Sequence, residues 1–208
     1  MPSAPDAIAA LKAGFGGVKD RASLDHASIG VPAADLLAVL GALKKDHGFD
    51  MLADVSGVDW SPGVSPRFSV VYHVFSTTAH DYIRVSADCP DDANPQVPSA
   101  ASIWPGADWH EREAYDMFGI TFAGHPDMRR ILMWDGYPYF PLRKDFPLAG
   151  IETELPDSEV TAETKVGAIA APMAGGPFVA SSGELNLTDA EPRAKDESWS
   201  ERRPKPQA

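Results

Sequence analysis

Apolar positions recur along the first half of the chain at two distinct periods. Leu36, Val39, Leu40 and Leu43 fall at helical spacing. Pro32 suits the first helical position, Lys44 and Lys45 suit the last turn, and Gly48 supplies a stop. A shorter helix is expected over residues 6–13. The period then changes to two. Over residues 67–76, Phe68, Val70, Tyr72 and Val74 alternate with Ser69, Val71, His73 and Phe75. Over 82–87, Ile83, Val85 and Ala87 alternate with Tyr82, Arg84 and Ser86. Residues 77–80 between these runs are few enough for an antiparallel hairpin. Residues 51–58 read as another strand and 21–29 as a weaker one. This order predicts an α+β fold, with an antiparallel or mixed sheet and its helices on one face.

Residues 104–146 are patterned differently. They hold 10 of the chain's 19 aromatic residues, and from His110 to Phe146 six acids face five bases. Aromatic and Arg enrichment with balanced charge is the composition of a buried or partner-facing surface. A helix opens this segment. Asp108 is its expected N-cap, Glu111 would complete a capping box, and Gly119 offers the left-handed stop. At 100° per residue Glu111 shares the apolar stripe of Ala114, Tyr115 and Phe118, while Trp109, Arg112, Glu113 and Asp116 share the opposite face. A carboxylate on an apolar stripe is costly unless paired. Either the chain doubles back and brings a cation from Arg129, Arg130, Arg143 or Lys144 to Glu111, or Glu111 caps its own helix from the edge.

Composition changes again near residue 148. Residues 149–208 carry 11 acids, 6 bases and six prolines, with no helical or strand period. The expected organisation is an α+β domain over 1–148 followed by an extended acidic, Pro-rich arm over 149–208. That arm buries too little apolar surface to order fully when free. Ile151, Leu155, Val160, Phe178, Val179, Leu185 and Leu187 would anchor it on a partner.

Charge and cysteine content narrow the function. A formal net charge of −12 argues against nucleic-acid binding, which needs clustered Lys and Arg. A single cysteine, Cys89, can build neither an intramolecular disulfide nor a cluster site. No apolar run approaches the ~20 residues of a membrane helix, and the N-terminus lacks a basic leader region, so the chain reads as soluble and intracellular.

No catalytic constellation emerges. His110-Glu111 begins like HExxH, but Ala114 stands where the second ligand belongs. No phosphate-cradling Gly motif occurs, and Glu111 and Glu113 point to different faces. His125, before Pro126, reads as a hydrogen-bonded structural residue. Cys89 lies amid acids, which disfavours a reactive thiolate.

Three ordered stretches carry a resemblance: Trp109-His-Glu-Arg-Glu-Ala-Tyr-Asp-Met-Phe-Gly-Ile120, Gly124-His-Pro-Asp-Met-Arg-Arg-Ile-Leu132 and Tyr139-Phe-Pro-Leu-Arg-Lys-Asp-Phe-Pro147. Together they resemble the signature of the 30 kDa subunit family of respiratory complex I, the C-type subunit of the bacterial proton-translocating NADH–quinone oxidoreductase. The resemblance covers about residues 50–148. It implies a peripheral-arm subunit on the cytoplasmic side of the cell inner membrane, packed against the 49 kDa-type (D-type) subunit near the site of quinone reduction. It implies no cofactor in this subunit, with FMN and Fe–S clusters in partner subunits, and no catalytic residue of its own. Trp109, Glu111, Arg112, Glu113, Asp116, His125, Asp127, Arg129, Arg130, Arg143, Lys144 and Asp145 are then interface or structural residues. Related subunits serve membrane-bound hydrogenases and F420-type complexes. The electron donor and the choice between ubiquinone and menaquinone stay open, and a free-standing soluble enzyme is the different-class alternative.

Overall fold

The computed structural model describes residues 3–147; the expected arm over 149–208 lies outside the described residues. The first helix, α1 (Ala4–Gly14), opens on a capping box in which Ser3 and Asp6 each accept the other's backbone N–H. Strand β1 (Lys19–Asp20) pairs antiparallel with β2 (Ala27–Val31). The strand expected over 21–29 therefore starts late. Ser23 Oγ donates to Asp25, whose carboxylate is gripped by Arg84, and Leu24 is fully exposed, so the intervening residues form a loop.

Pro32 introduces a single 3-10 turn (Ala33–Asp35) before α2 (Leu36–Lys45) begins. The predicted stripe of Leu36, Val39, Leu40 and Leu43 is buried, and Gly48 takes φ +73° just past the helix. Strands β3 (Met51–Asp59), β4 (Phe68–Ser76) and β5 (Asp81–Asp88) then run as an antiparallel meander, with residues 77–80 as the expected hairpin connection.

The sheet is mixed. Its order is β1-β2-β5-β4-β3, and β2 lies parallel to β5. This follows from the α2 crossover, which carries the chain from β2 to the far edge so that the meander returns beside β2. One row of side chains, Ile29, Val85, Tyr72 and Val55, crosses four strands in register and is buried throughout. The apolar faces of all three helices join that same core, as the alternation predicted.

The register shifts between Leu52 and Asp54, which puts Asp54 opposite His73 on the other face of the sheet. A second, parallel pair, β6 (Gln96–Pro98) and β7 (Thr121–Ala123), brackets α3 (Ala107–Phe118). Three residues are too few to show a period, so neither strand was legible in the pattern. α3 sits on β3, where Gly57 leaves the space that the Phe118 ring fills; a Cβ there would come within 2.7 Å of it.

The described residues fall into two compact units. The larger comprises residues 3–134 and Phe140–Asp145, and contains every element above. In the smaller, Tyr137 meets Tyr139 edge-on at 5.8 Å and Tyr139 lies 5.9 Å from Phe146.

Candidate functional site

The first two signature stretches and residues 140–145 of the third converge around α3, and the charges they carry are mostly spent on holding backbone. Glu111 is fully buried. Its carboxylate accepts from Ser99 Oγ at 2.6 Å and from the Ala100 amide at 2.6 Å, which ties α3 to the segment after β6. Both expected roles are corrected by this geometry. Asp108 is not the N-cap, because Gly106 holds that place without a side-chain cap, and no arginine among the described residues reaches Glu111. Ser99 precedes the helix closely enough to have been a candidate partner, but only the turn at residues 100–104 aims it inward. Burial pushes the Glu111 carboxyl up, and its two hydrogen bonds only partly offset that.

The His125 side chain is fully buried beside this carboxylate. Nδ1 accepts the Asp127 amide at 3.0 Å, Nε2 lies 3.2 Å from the Asp108 carbonyl and 3.9 Å from Glu111 Oε2. An acceptor at Nδ1 puts the ring proton on Nε2, where it faces Asp108 and Glu111. Both ring nitrogens of His125 are thus engaged by the chain's own backbone.

Asp116 is the second buried carboxylate. Its Oδ2 accepts three successive amides, Ile131 at 3.0 Å, Leu132 at 2.7 Å and Met133 at 2.8 Å, while Arg130 Nη1 lies 2.5 Å from Oδ1. Burial would raise this carboxyl, but the amides and Arg130 together outweigh it and hold it below the usual carboxylate range. Arg112 completes the clamp by donating Nε and Nη2 to the carbonyls of Arg129 and Arg130, both at 3.2 Å.

The helix face opposite Glu111 divides in two. Arg112 and Asp116 are buried under the 129–133 loop and do not pair with each other, whereas Trp109 (62% exposed) and Glu113 lie open. Leu132, at the crest of the clamped loop, is also 62% exposed. Arg112 lies over the Trp109 ring at 5.1 Å, so the exposed indole and the loop share one anchor. Arg129, one of the cations considered for Glu111, instead projects into solvent and pairs with Asp127 at 2.7 Å.

A third knot forms at the end of the segment. Arg67 holds Asp59 through Nε and Nη2 and also reaches Asp145, and the Lys144 amide donates to Asp59 at 2.8 Å. Burial opposes the Asp59 charge, yet Arg67 and the amides of Lys144 and Ser61 bring its pKa down to about 2. Nothing in the pattern of residues marked Asp59 or Arg67; they flank a strand as ordinary polar ends. Also unmarked was Asp54, which has His73 at 3.4 Å and His110 at 3.7 Å.

Cys89 is buried, and that burial, with Asp88 and Asp92 nearby, raises its thiol to about 12. Among the described residues no group of three or more His, Cys, Asp or Glu side chains is placed to hold a metal ion. No helix among them is long and apolar enough to cross a membrane. What the arrangement does is mechanical: three buried or half-buried carboxylates fix one loop and one turn, and those present apolar and cationic side chains outward.

Residues 29–152 match the family described as respiratory-chain NADH dehydrogenase, 30 Kd subunit. The chain is 41% identical over 155 residues to the C 2 subunit of NADH-quinone oxidoreductase from Rhizobium meliloti (strain 1021), covering 73% of this chain and 84% of that one. It is 46% identical over 136 residues to the corresponding C-type subunit of NADH-quinone oxidoreductase from Phenylobacterium zucineum (strain HLK1), where the match spans 65% of this chain and 63% of the relative. Among solved structures, a chain of the membrane-bound sulfane sulfur reductase, an archaeal respiratory membrane complex, shares the fold with a TM-score of 0.57 at 21% identity, over 76% of this chain and 89% of that one.

Proposed function

Because this chain belongs to the 30 Kd subunit family of respiratory-chain NADH dehydrogenase, we propose that it is a peripheral-arm subunit of a proton-translocating NADH–quinone oxidoreductase. Its task is to pack against the 49 kDa-type subunit on the cytoplasmic side of the membrane, close to where quinone is reduced. The complex passes electrons from NADH through FMN and Fe–S clusters, all held by other subunits, and this chain supplies no catalytic residue.

The observation that carries the reading is the clamp on the 129–133 loop. Burying Asp116 and Arg112 is costly unless every bond is made, and here the bonds are made to hold a surface loop that exposes Leu132 beside exposed Trp109. Preorganised apolar and Arg side chains on a rigid base are the anatomy of a docking surface. A catalytic site would instead aim polar groups at a reacting atom.

Affinity purification of the tagged chain from detergent-solubilised membranes tests this. Recovery with the 49 kDa-type subunit, flavin, iron and NADH–quinone reductase activity is expected. Recovery of the chain alone, or with hydrogenase-type subunits and no flavin, overturns it. Substitutions at Trp109 should lower the amount of complex while leaving turnover per complex near normal; intact complex with collapsed turnover would make this chain part of the chemistry.

A further inference from the structure

The turn at residues 142–145 leaves one cation over. Arg67 takes both nearby carboxylates, with Asp59 held at 2.7 and 2.9 Å and Asp145 at 3.0 Å. Asp59 is further occupied by the amides of Ser61 at 3.0 Å and Lys144 at 2.8 Å. Arg143 lies beside this group with no carboxylate at ion-pair distance among the described residues. Its Nε donates to the Phe118 carbonyl at 2.6 Å, and that is the one acceptor its guanidinium has among those residues.

The guanidinium is nevertheless held in place. Its Cζ lies 4.9 Å from the centre of the Phe68 ring and 4.5 Å from that of Phe140. Gly119, at φ +73°, leaves room beneath it, since a Cβ there would come within 2.5 Å of Nη2. Burial, and then the proximity of Arg67, disfavour its charge, and Asp145 and Asp59 oppose that only in part. Asp92 Oδ1 accepts the Arg67 amide at 2.6 Å, so the neighbouring carboxylates are all engaged around Arg67 and none of those among the described residues pairs with Arg143. Leu142, next along the chain, is 54% exposed.

A half-buried cation, fixed between two rings and lacking a counter-ion, is costly unless a partner supplies one. We propose that Arg143 receives an Asp or Glu side chain of a neighbouring subunit, and that an apolar residue of the same neighbour covers Leu142. With Nε committed to Phe118, the Nη donors remain for the incoming carboxylate, a planar fork that lysine does not reproduce. The inference rests on the chain being a docked subunit and names the chemistry of one contact.

The test uses the assembled complex in solubilised membranes. Arg143→Lys puts an amine in the same place, carbodiimide treatment couples it to a carboxylate in contact, and peptide mass spectrometry maps the link. The expected result is a link from position 143 to an Asp or Glu of another subunit. A link only to acids of this chain, those of residues 149–208 included, overturns the proposal, as does an intact complex with position 143 unlinked. Arg143→Met should lower recovery of the chain in the complex about tenfold, with the melting temperature of the isolated chain near that of the parent. Recovery equal to the parent overturns the site while leaving the subunit reading intact. A parent chain that enters no complex overturns both.

Discussion

Replacing Asp116 by Ala removes the acceptor for three amides and one guanidinium in a single step. Hydrogen bonds to a charged group contribute ~1.5–3 kcal/mol each when lost singly. The four losses do not simply add, because the 129–133 loop swings outward and water takes over its amides once the anchor is gone. Arg130 regains solvent in the same movement. The net cost is then that of breaking one buried ion pair, ~3–5 kcal/mol. Urea titration of the purified chain, followed by tryptophan fluorescence, measures it. Hydrogen exchange should show faster opening at Ile131, Leu132 and Met133 but not along β4. Acid sensitivity gives a second readout. The folded Asp116 carboxyl lies below its ordinary value of 3.8, so its stabilisation is present above that value and lost as the pH falls through the folded pKa. Asp116→Asn should flatten the acid limb of the stability curve. Glu113→Ala, on the open face of the same helix, should cost within ~0.5 kcal/mol. A loss below ~1 kcal/mol for Asp116→Ala, with unchanged exchange at 131–133, would refute the clamp.

Glu111 carries the opposite sign. Its carboxyl is raised by burial, so its contribution is full below the ordinary value of 4.5 and fades as the pH rises through the folded pKa. Glu111→Gln should therefore gain on the parent in melting temperature between pH 4 and pH 7.5; a constant or widening deficit would count against it. Gly119→Ala forces a non-glycine residue to φ +73° and drives a Cβ into Arg143 and Phe140, so a loss of ~2–4 kcal/mol in urea is expected. Cys89, raised to about 12, should react with thiol reagents at pH 8 only after denaturation, and rapid labelling of the native chain would show that burial is overstated.

Periodicity determined the skeleton by itself. A helix that buries every third or fourth side chain and a strand that buries every second leave traces in order along the chain, so β4 and β5 were legible within a residue, as was the end of α2. The start of α2 fell at Leu36, four residues past the expected Pro32, because a 3-10 turn intervenes. The left-handed stop at Gly119 was legible for the same local reason, since only that position lacked a side chain at the end of an amphipathic run. The family signature was also a property of order alone. Partners were different. Which carboxylate meets which cation depends on distances across the sheet, and nothing in spacing separates Glu111 from Asp116 as the one that Arg130 reaches. Composition could say that a carboxylate on an apolar stripe needs a partner; only packing showed that Ser99 and a backbone amide serve, and that the arginines are used elsewhere. Long-range pairing likewise put β2 parallel to β5 and joined two three-residue strands too short to carry a pattern. Local sequence encodes the cost of leaving a group unpaired, whereas the tertiary fold decides what pairs with it.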